Sequence, residues 1–208
     1  MTKKDPLAQY REKRDFRKTS EPEGKKKSNK EKKNIFVIQK HDASNLHYDL
    51  RLEVDGVLKS WAVPKGPSTD PNEKRMALPT EDHPLDYADF EGVIPEGEYG
   101  AGTVMVWDIG PYKNLRETRD DEHKTMKESL SEGKVEVWLE GNKITGGYVL
   151  VRTGKGKNER WLLIKMKDDE ADARRNPVST EPKSAISGKT LKEIRDSAKK
   201  ENRKGKEK

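Results

Sequence analysis

Nine consecutive residues place the strongest constraint on what this chain can fold into. Leu46-His47-Tyr48-Asp49-Leu50-Arg51-Leu52-Glu53-Val54 alternates without a break, apolar at each even number and ionisable at each odd one. In a strand the two sets face opposite ways. The apolar side chains on one face fix the register, because a slip of one residue would bury four ionisable groups in their place. Six more runs, at residues 35–38, 57–63, 103–107, 134–139, 148–152 and 161–166, are rich in apolar residues and punctuated by Gly, Pro and Asp. They also read as strands. Asp55-Gly56 suits a two-residue hairpin turn, and Gly154-Lys155-Gly156-Lys157-Asn158 suits a longer one. Helix signals are few. One short helix is expected over residues 121–130, ending at Gly133, and Thr190-Leu191-Lys192-Glu193 has the capping-box form ahead of a thin apolar stripe, Leu191, Ile194 and Ala198. No internal repeat or βαβ alternation is present. The expected fold is mainly β, a small antiparallel β-barrel or sandwich of roughly 130 residues, with short flanking helices and basic polar tails.

Charge divides the chain. Charged residues make up 39% and hydrophobic ones 30% of the 208, against about 25% and roughly 45–50% in an ordinary globular chain. The apolar residues must therefore concentrate in a smaller core, leaving part of the chain disordered. Residues 1–34 carry a net charge of +7, residues 35–173 of −8 and residues 174–208 of +7. The expected organisation is a basic, partly disordered segment over 1–34, a barrel domain over 35–173 and a basic tail with a marginal helix over 174–208. Within the first segment, the less repetitive stretch from Tyr10 to Phe16 is the part expected to dock on the body. Basic ends around an acidic body fit attachment to a polyanion, since each Lys or Arg near a phosphate releases a counterion. The absence of cysteine excludes disulfides, thiolate ligands, iron–sulfur clusters and thiol nucleophiles. No apolar run approaches the roughly 20 residues of a membrane span, and the N-terminus carries no secretory signal. The expectation is a cytoplasmic monomer with no membrane partner.

The polar face of the alternating strand carries the chemistry. His47, Asp49 and Arg51 at successive outward positions offer a metal ligand or proton carrier, a hard anionic ligand and a forked phosphate clamp. Gln39-Lys40-His41-Asp42 lies just upstream, and Glu81-Asp82-His83-Pro84-Leu85-Asp86-Tyr87 puts a third His among carboxylates. Two His and one Asp suit Mn²⁺, Zn²⁺ or Fe²⁺ and leave positions open for water or a phosphate oxygen. Lys65 and Arg75 add positive charge inside the acidic body, whereas His123 sits among charges as a bystander. The glycines between Phe90 and Thr103 do not form a GxxxxGK[ST] phosphate loop and read as turn glycines.

Several of these stretches resemble, in order, the signature of the 3′-phosphoesterase domain of DNA ligase D. They are Gln39-Lys40-His41-Asp42-Ala43-Ser44-Asn45-Leu46-His47-Tyr48-Asp49-Leu50-Arg51-Leu52-Glu53, Ser60-Trp61-Ala62-Val63-Pro64-Lys65-Gly66-Pro67, His83-Pro84-Leu85-Asp86-Tyr87 and Phe90-Glu91-Gly92-Val93-Ile94-Pro95, followed by Gly100-Ala101-Gly102-Thr103-Val104. The resemblance implies a small β-barrel that uses Mn²⁺ to trim a terminal ribonucleoside from a DNA 3′ end and then removes the remaining 3′-phosphate. It implies His41, Asp49 and His83 as metal ligands, with His47, Arg51 and Tyr87 on the scissile phosphate. Lys65 and Arg75 would add phosphate contacts, and Arg14, Asp15 and Glu21 would match the family's N-terminal motif. The partners implied are DNA 3′ ends at a primer–template or nick and, for a free-standing version of the module, a separate DNA ligase and polymerase. Two other readings compete. One is a catalytically weak barrel that binds nucleic-acid ends and recruits a ligase; the other is a phosphodiesterase for small nucleotides.

Overall fold

Asp55 and Gly56 both take positive φ, 52° and 85°, and set Val54 opposite Val57 in a two-residue hairpin. Primed turns of this kind match the twist of the strands they join. The computed structural model describes residues 5–24, 34–154 and 156–204. Its strands are β1 (Ile35–Asp42), β2 (Leu46–Val54), β3 (Val57–Val63), β4 (Lys74–Pro79), β5 (His83–Pro84), β6 (Gly92–Ile94), β7 (Gly102–Asn114), β8 (Lys134–Glu140), β9 (Thr145–Arg152) and β10 (Trp161–Lys165). Eight of them close a ring in the order β1-β2-β3-β4-β10-β9-β8-β7 and back to β1, with each pairing antiparallel. The chain is thus mainly β, an antiparallel barrel as its sequence predicts, with β5 laid on β3 and β6 on β7.

Closure depends on β7, which is longer than the run at 103–107 suggests. It pairs with β1 along most of its length and with β8 only at Tyr112–Asn114. A register shift between Ile38 and Gln39 bends it around the corner. Gly102 starts it at φ 144°, and a Cβ there would clash with the Asp42 carbonyl, so only glycine lets β7 lie against the end of β1.

The barrel has two apolar layers. Tyr48, Leu50, Leu52 and Val54 point inward with Phe36, Ile38, Trp61, Val63, Trp107 and Trp161. On the outer face, Val37, Leu58, Val104 and Val106 are covered by Tyr10, Tyr87, Ala88, Phe90 and Ile94. Tyr10 belongs to α1 (Ala8–Glu12) and is fully buried, so the N-terminal segment docks where the sequence suggests. The second layer also encloses the polar face of β2.

The predicted helix over 121–130 is shorter and later. It is α2 (Met126–Glu132), because Thr125 and Glu128 cap each other and Gly133 ends it in the left-handed region. His123 precedes it in a turn at φ 43°. Residues 174–204 pack on the barrel through α3 (Pro177–Thr180) and α4 (Leu191–Lys204). Trp107 Nε1 donates to the Glu181 carbonyl at 2.7 Å, and Ile194 joins the barrel core. Among the described residues no helix is long and apolar enough to cross a membrane.

Candidate active site

Antiparallel pairing brings the outward side chains of β1, β2 and β3 to one place. Gln39 lies opposite Asp49 and His41 opposite His47, while Asp49 and Arg51 face Ala62 and Ser60. His41, His47, Asp49, Arg51 and Ala62, together with Arg14, Glu81, His83 and Tyr87, line a pocket of about 270 Å³ on the outside of the barrel.

One half of the pocket is a set of lone pairs. His41 Nε2 lies 2.9 Å from the Gly100 carbonyl, and His47 Nδ1 lies 2.8 Å from the Asn45 carbonyl. Each carbonyl can only accept, so these nitrogens carry the protons and the opposite ones present lone pairs. Those free nitrogens, His41 Nδ1 and His47 Nε2, stand 3.8 Å and 3.6 Å from the Asp49 carboxylate. All three donor atoms lie within 4.8 Å of one another. Burial alone would raise the Asp49 carboxyl, but the Arg51 guanidinium holds it below the usual carboxylate range. Three converging acceptors with an ionised carboxylate fit a divalent cation of the mixed N/O type.

The other half is cationic. Arg51 is 3% exposed, and its guanidinium is held by Gln39 Oε1 at 2.7 Å and by Asp49 at 3.1 Å. It also lies 5.0 Å from the centre of the Tyr87 ring. Gln39 is itself fixed, donating to the carbonyls of Tyr87 and Phe90 at 3.0 Å and 3.1 Å. Arg14 reaches in from the N-terminal segment, bonded to Glu21 at 2.8 Å and Glu81 at 3.0 Å. Glu21 is 4% exposed and also accepts from the Tyr87 hydroxyl at 3.1 Å. Burial, with Glu21 second, keeps that phenol well above its ordinary pKa and therefore protonated.

His83 stands between the two arginines. Arg51 lies 3.0 Å from Nδ1 and Arg14 3.3 Å from Nε2, while the Glu81 carbonyl is 2.9 Å from Nδ1. Burial and the two guanidiniums push its pKa well below 6.5, leaving a neutral ring. A ring flanked by two cations is a poor place for a third, so the geometry differs from the expected ligand set of His41, Asp49 and His83. His47 completes the lone-pair trio, and His83 belongs to the cationic half.

Three further expected residues lie apart. Asp15 pairs with Arg17 at 2.8 Å, Lys65 is exposed, and Arg75 pairs with Glu73 beside a separate pocket of about 110 Å³. None of the three lines the main pocket. The sequence reading did not single out the roles of Gln39, Glu81 and Tyr99. Glu81 joins Arg14 to Lys13, and Tyr99 lines the pocket with the Lys13 ammonium 4.5 Å from its ring centre. The signal for Gln39 was its odd-numbered place in β1, two residues before His41; for Glu81 and Tyr99 only the fold supplies one.

Fold and site together define a β-barrel protein whose outer face carries a candidate metal-binding trio beside a cluster of cations. Residues 39–152 match the model of the DNA Ligase D 3'-phosphoesterase domain. This chain belongs to that family. It is 50% identical over 196 residues to the Multifunctional non-homologous end joining protein LigD of Pseudomonas aeruginosa, covering 92% of this chain and 22% of that protein. It is 46% identical over 166 residues to the Multifunctional non-homologous end joining DNA repair protein LigD of Mycobacterium tuberculosis, covering 80% and 20%. The corresponding protein of Mycolicibacterium smegmatis gives 46% over 166 residues, covering 80% and 21%. The chain thus spans about a fifth of the length of these relatives.

Proposed function

We propose that this chain is a metal-dependent phosphoesterase of DNA 3′ ends. It releases a terminal ribonucleoside and then removes the 3′-phosphate left behind, giving a 3′-hydroxyl. The observation that carries this reading is the meeting, in one pocket, of the lone-pair trio His41, His47 and Asp49 with the cationic set Arg51, Arg14 and His83.

The trio would hold the ion, and Mn²⁺ suits its two imidazoles and one carboxylate. Bound there, a divalent ion supplies Lewis-acid polarisation of a phosphoryl oxygen and a more acidic water. The chain's own groups do the rest. Arg51 and Arg14 present forked donors to the phosphate oxygens, kept in place by Gln39, Glu21 and Glu81. A phosphate between these arginines offsets the positive field that, together with burial, keeps His83 neutral. His83 Nε2 can then take up a proton and deliver it to the leaving oxygen. Tyr87, protonated and tied to Glu21, holds the outer wall of the cradle. Lys65 and Arg75 are assigned to the DNA strand beyond the pocket, and Asp15 to ordering the N-terminal segment.

The relatives' names refer to end joining, and a clean 3′-hydroxyl is what a ligase or polymerase needs. A DNA ligase and a polymerase are therefore the partners proposed. The test is a 5′-labelled primer–template ending in one ribonucleotide, incubated with the protein and Mn²⁺. Stepwise conversion to a 3′-phosphate and then a 3′-hydroxyl end is expected. A primer that is bound but unchanged would replace this reading with that of an end-binding module.

A further inference from the structure

Four large apolar side chains stand exposed among the described residues, Leu46, Met76, Tyr99 and Ile186, and of these only Tyr99 lines the main pocket. It is 47% exposed, whereas Tyr87 in the same lining is 2% exposed. Gly97 and Gly100, at φ 87° and 78°, bend the chain on either side of it. The phenol is anchored. Its hydroxyl accepts from Lys13 Nζ at 3.2 Å and donates to Glu81 Oε2 at 3.4 Å. With its one proton already given to Glu81, what Tyr99 has left for a ligand is its ring. The Lys13 ammonium lies 4.5 Å and the Arg14 guanidinium 5.5 Å from the ring centre, so the ring adjoins the cations of the pocket. Sheet order fixes the flank on which it stands. Tyr99 belongs to the connection from β6 to β7, and the order β6, β7, β1, β2, β3 puts that connection on one side of the strands carrying His41, His47 and Asp49. Lys65, which follows β3, stands on the other side.

Resting on the phosphoesterase reading of the main pocket, we infer that Tyr99 is the stacking platform for the departing nucleoside. The base of the terminal ribonucleotide lies on its ring while the phosphate joining that nucleotide to the strand sits between Arg51 and Arg14. A half-exposed aromatic ring at the lip of a phosphate cradle suits a base, because the group nearest a bound phosphodiester that has a π-face is the nucleobase. The strand occupies the Lys65 side, so the nucleoside on the Tyr99 side is the one released. Stacking reads no base edge, and each of the four bases serves. A 3′-phosphate end has no such nucleoside. Tyr99 therefore contributes to the first of the two reactions and not to the second.

The test compares three duplexes: one with a 3′-terminal ribonucleotide, one ending in the same ribose without its base, and one ending in a 3′-phosphate. Dissociation constants are read by fluorescence anisotropy with the full chain in EDTA, where no turnover intervenes. The complete ribonucleotide is expected to bind about fivefold more tightly than the abasic one, the low end of what base–aromatic stacking contributes. That gap should shrink below about twofold in Tyr99→Ala and persist in Tyr99→Phe, which keeps the ring. Affinity for the 3′-phosphate duplex should change by less than about twofold in Tyr99→Ala. Equal binding of the first two duplexes by the unmodified protein would overturn the platform. So would a gap that survives in Tyr99→Ala, or a loss in that variant that falls on all three duplexes alike. Conversion of the ribonucleotide end in Mn²⁺ reports separately on the phosphoesterase reading. Conversion with equal affinities overturns the platform alone, whereas a fivefold gap without conversion overturns the phosphoesterase and leaves a base-binding ring standing.

Discussion

Replacing Gln39 by methionine removes the group that ties the cationic half of the site to the barrel. The side chain is fully buried, and methionine nearly matches its volume, so no cavity enters the comparison. Three hydrogen bonds are lost: one from Arg51 Nε and two to the carbonyls of Tyr87 and Phe90. A bond to a charged group contributes about 1.5–3 kcal/mol and each bond to a carbonyl about 1 kcal/mol, the Tyr87 carbonyl keeping the Phe90 amide as a second donor. The expected loss is about 3–5 kcal/mol, which at about 2–4 °C per kcal/mol lowers the midpoint by roughly 10 °C. Urea unfolding with a shared m-value and calorimetry both read it. With Arg51 unmoored, kcat/KM on a 3′-phosphate end should fall by about tenfold or more. A loss of less than about 1 kcal/mol would refute the reasoning, because it would mean that these buried groups find other partners.

Other predictions follow from the same geometry. His47→Ala should abolish Mn²⁺ binding, followed by the electron paramagnetic resonance of free Mn²⁺, while His83→Ala should retain it; the reverse pattern would restore His83 as the ligand. His83 has a folded-state pKa well below 6.5, so as pH falls through 6.5 the unfolded chain takes up the proton first. Stability is therefore lost on acidification at up to about 1.4 kcal/mol per pH unit from this residue. Urea unfolding of the metal-free protein between pH 7.5 and 5.5 should show a smaller loss in His83→Asn, and equal losses would contradict the neutral ring. Ile194→Ala should cost about 2–4 kcal/mol if α4 is part of the barrel core, whereas a value near zero would make it a passenger.

The strands were legible wherever one face is apolar. The bounds of β2 and β3 coincide with their sequence patterns: in β2 inward Leu50 and Leu52 alternate with ionisable neighbours, and β3 is an apolar-rich run between the Asp55-Gly56 turn and Pro64. β4 was missed because Lys74-Arg75-Met76 carries no such contrast, and β5 and β6 because two or three residues set no period. The outward face of β2 is not open to water: Asp49, Arg51 and Glu53 are all buried. Nothing local to β2 announces that residues 5–24 and the loop after β5 will cover it. The residue types of the site were readable for the same reason that their roles were not. Spacing places His47 and Asp49 on one face, but which histidine turns a lone pair toward Asp49 depends on carbonyls at Gly100, Asn45 and Glu81.

The most direct test of the central claim is phosphate release from a 3′-phosphate oligonucleotide by protein stripped of metal, before and after Mn²⁺ is restored. The stripped protein should release none, and about one equivalent of Mn²⁺ should restore release. No recovery is expected in Asp49→Asn, which keeps the shape of the side chain and loses its charge. Full release by the stripped protein, or normal recovery in Asp49→Asn, would contradict the claim.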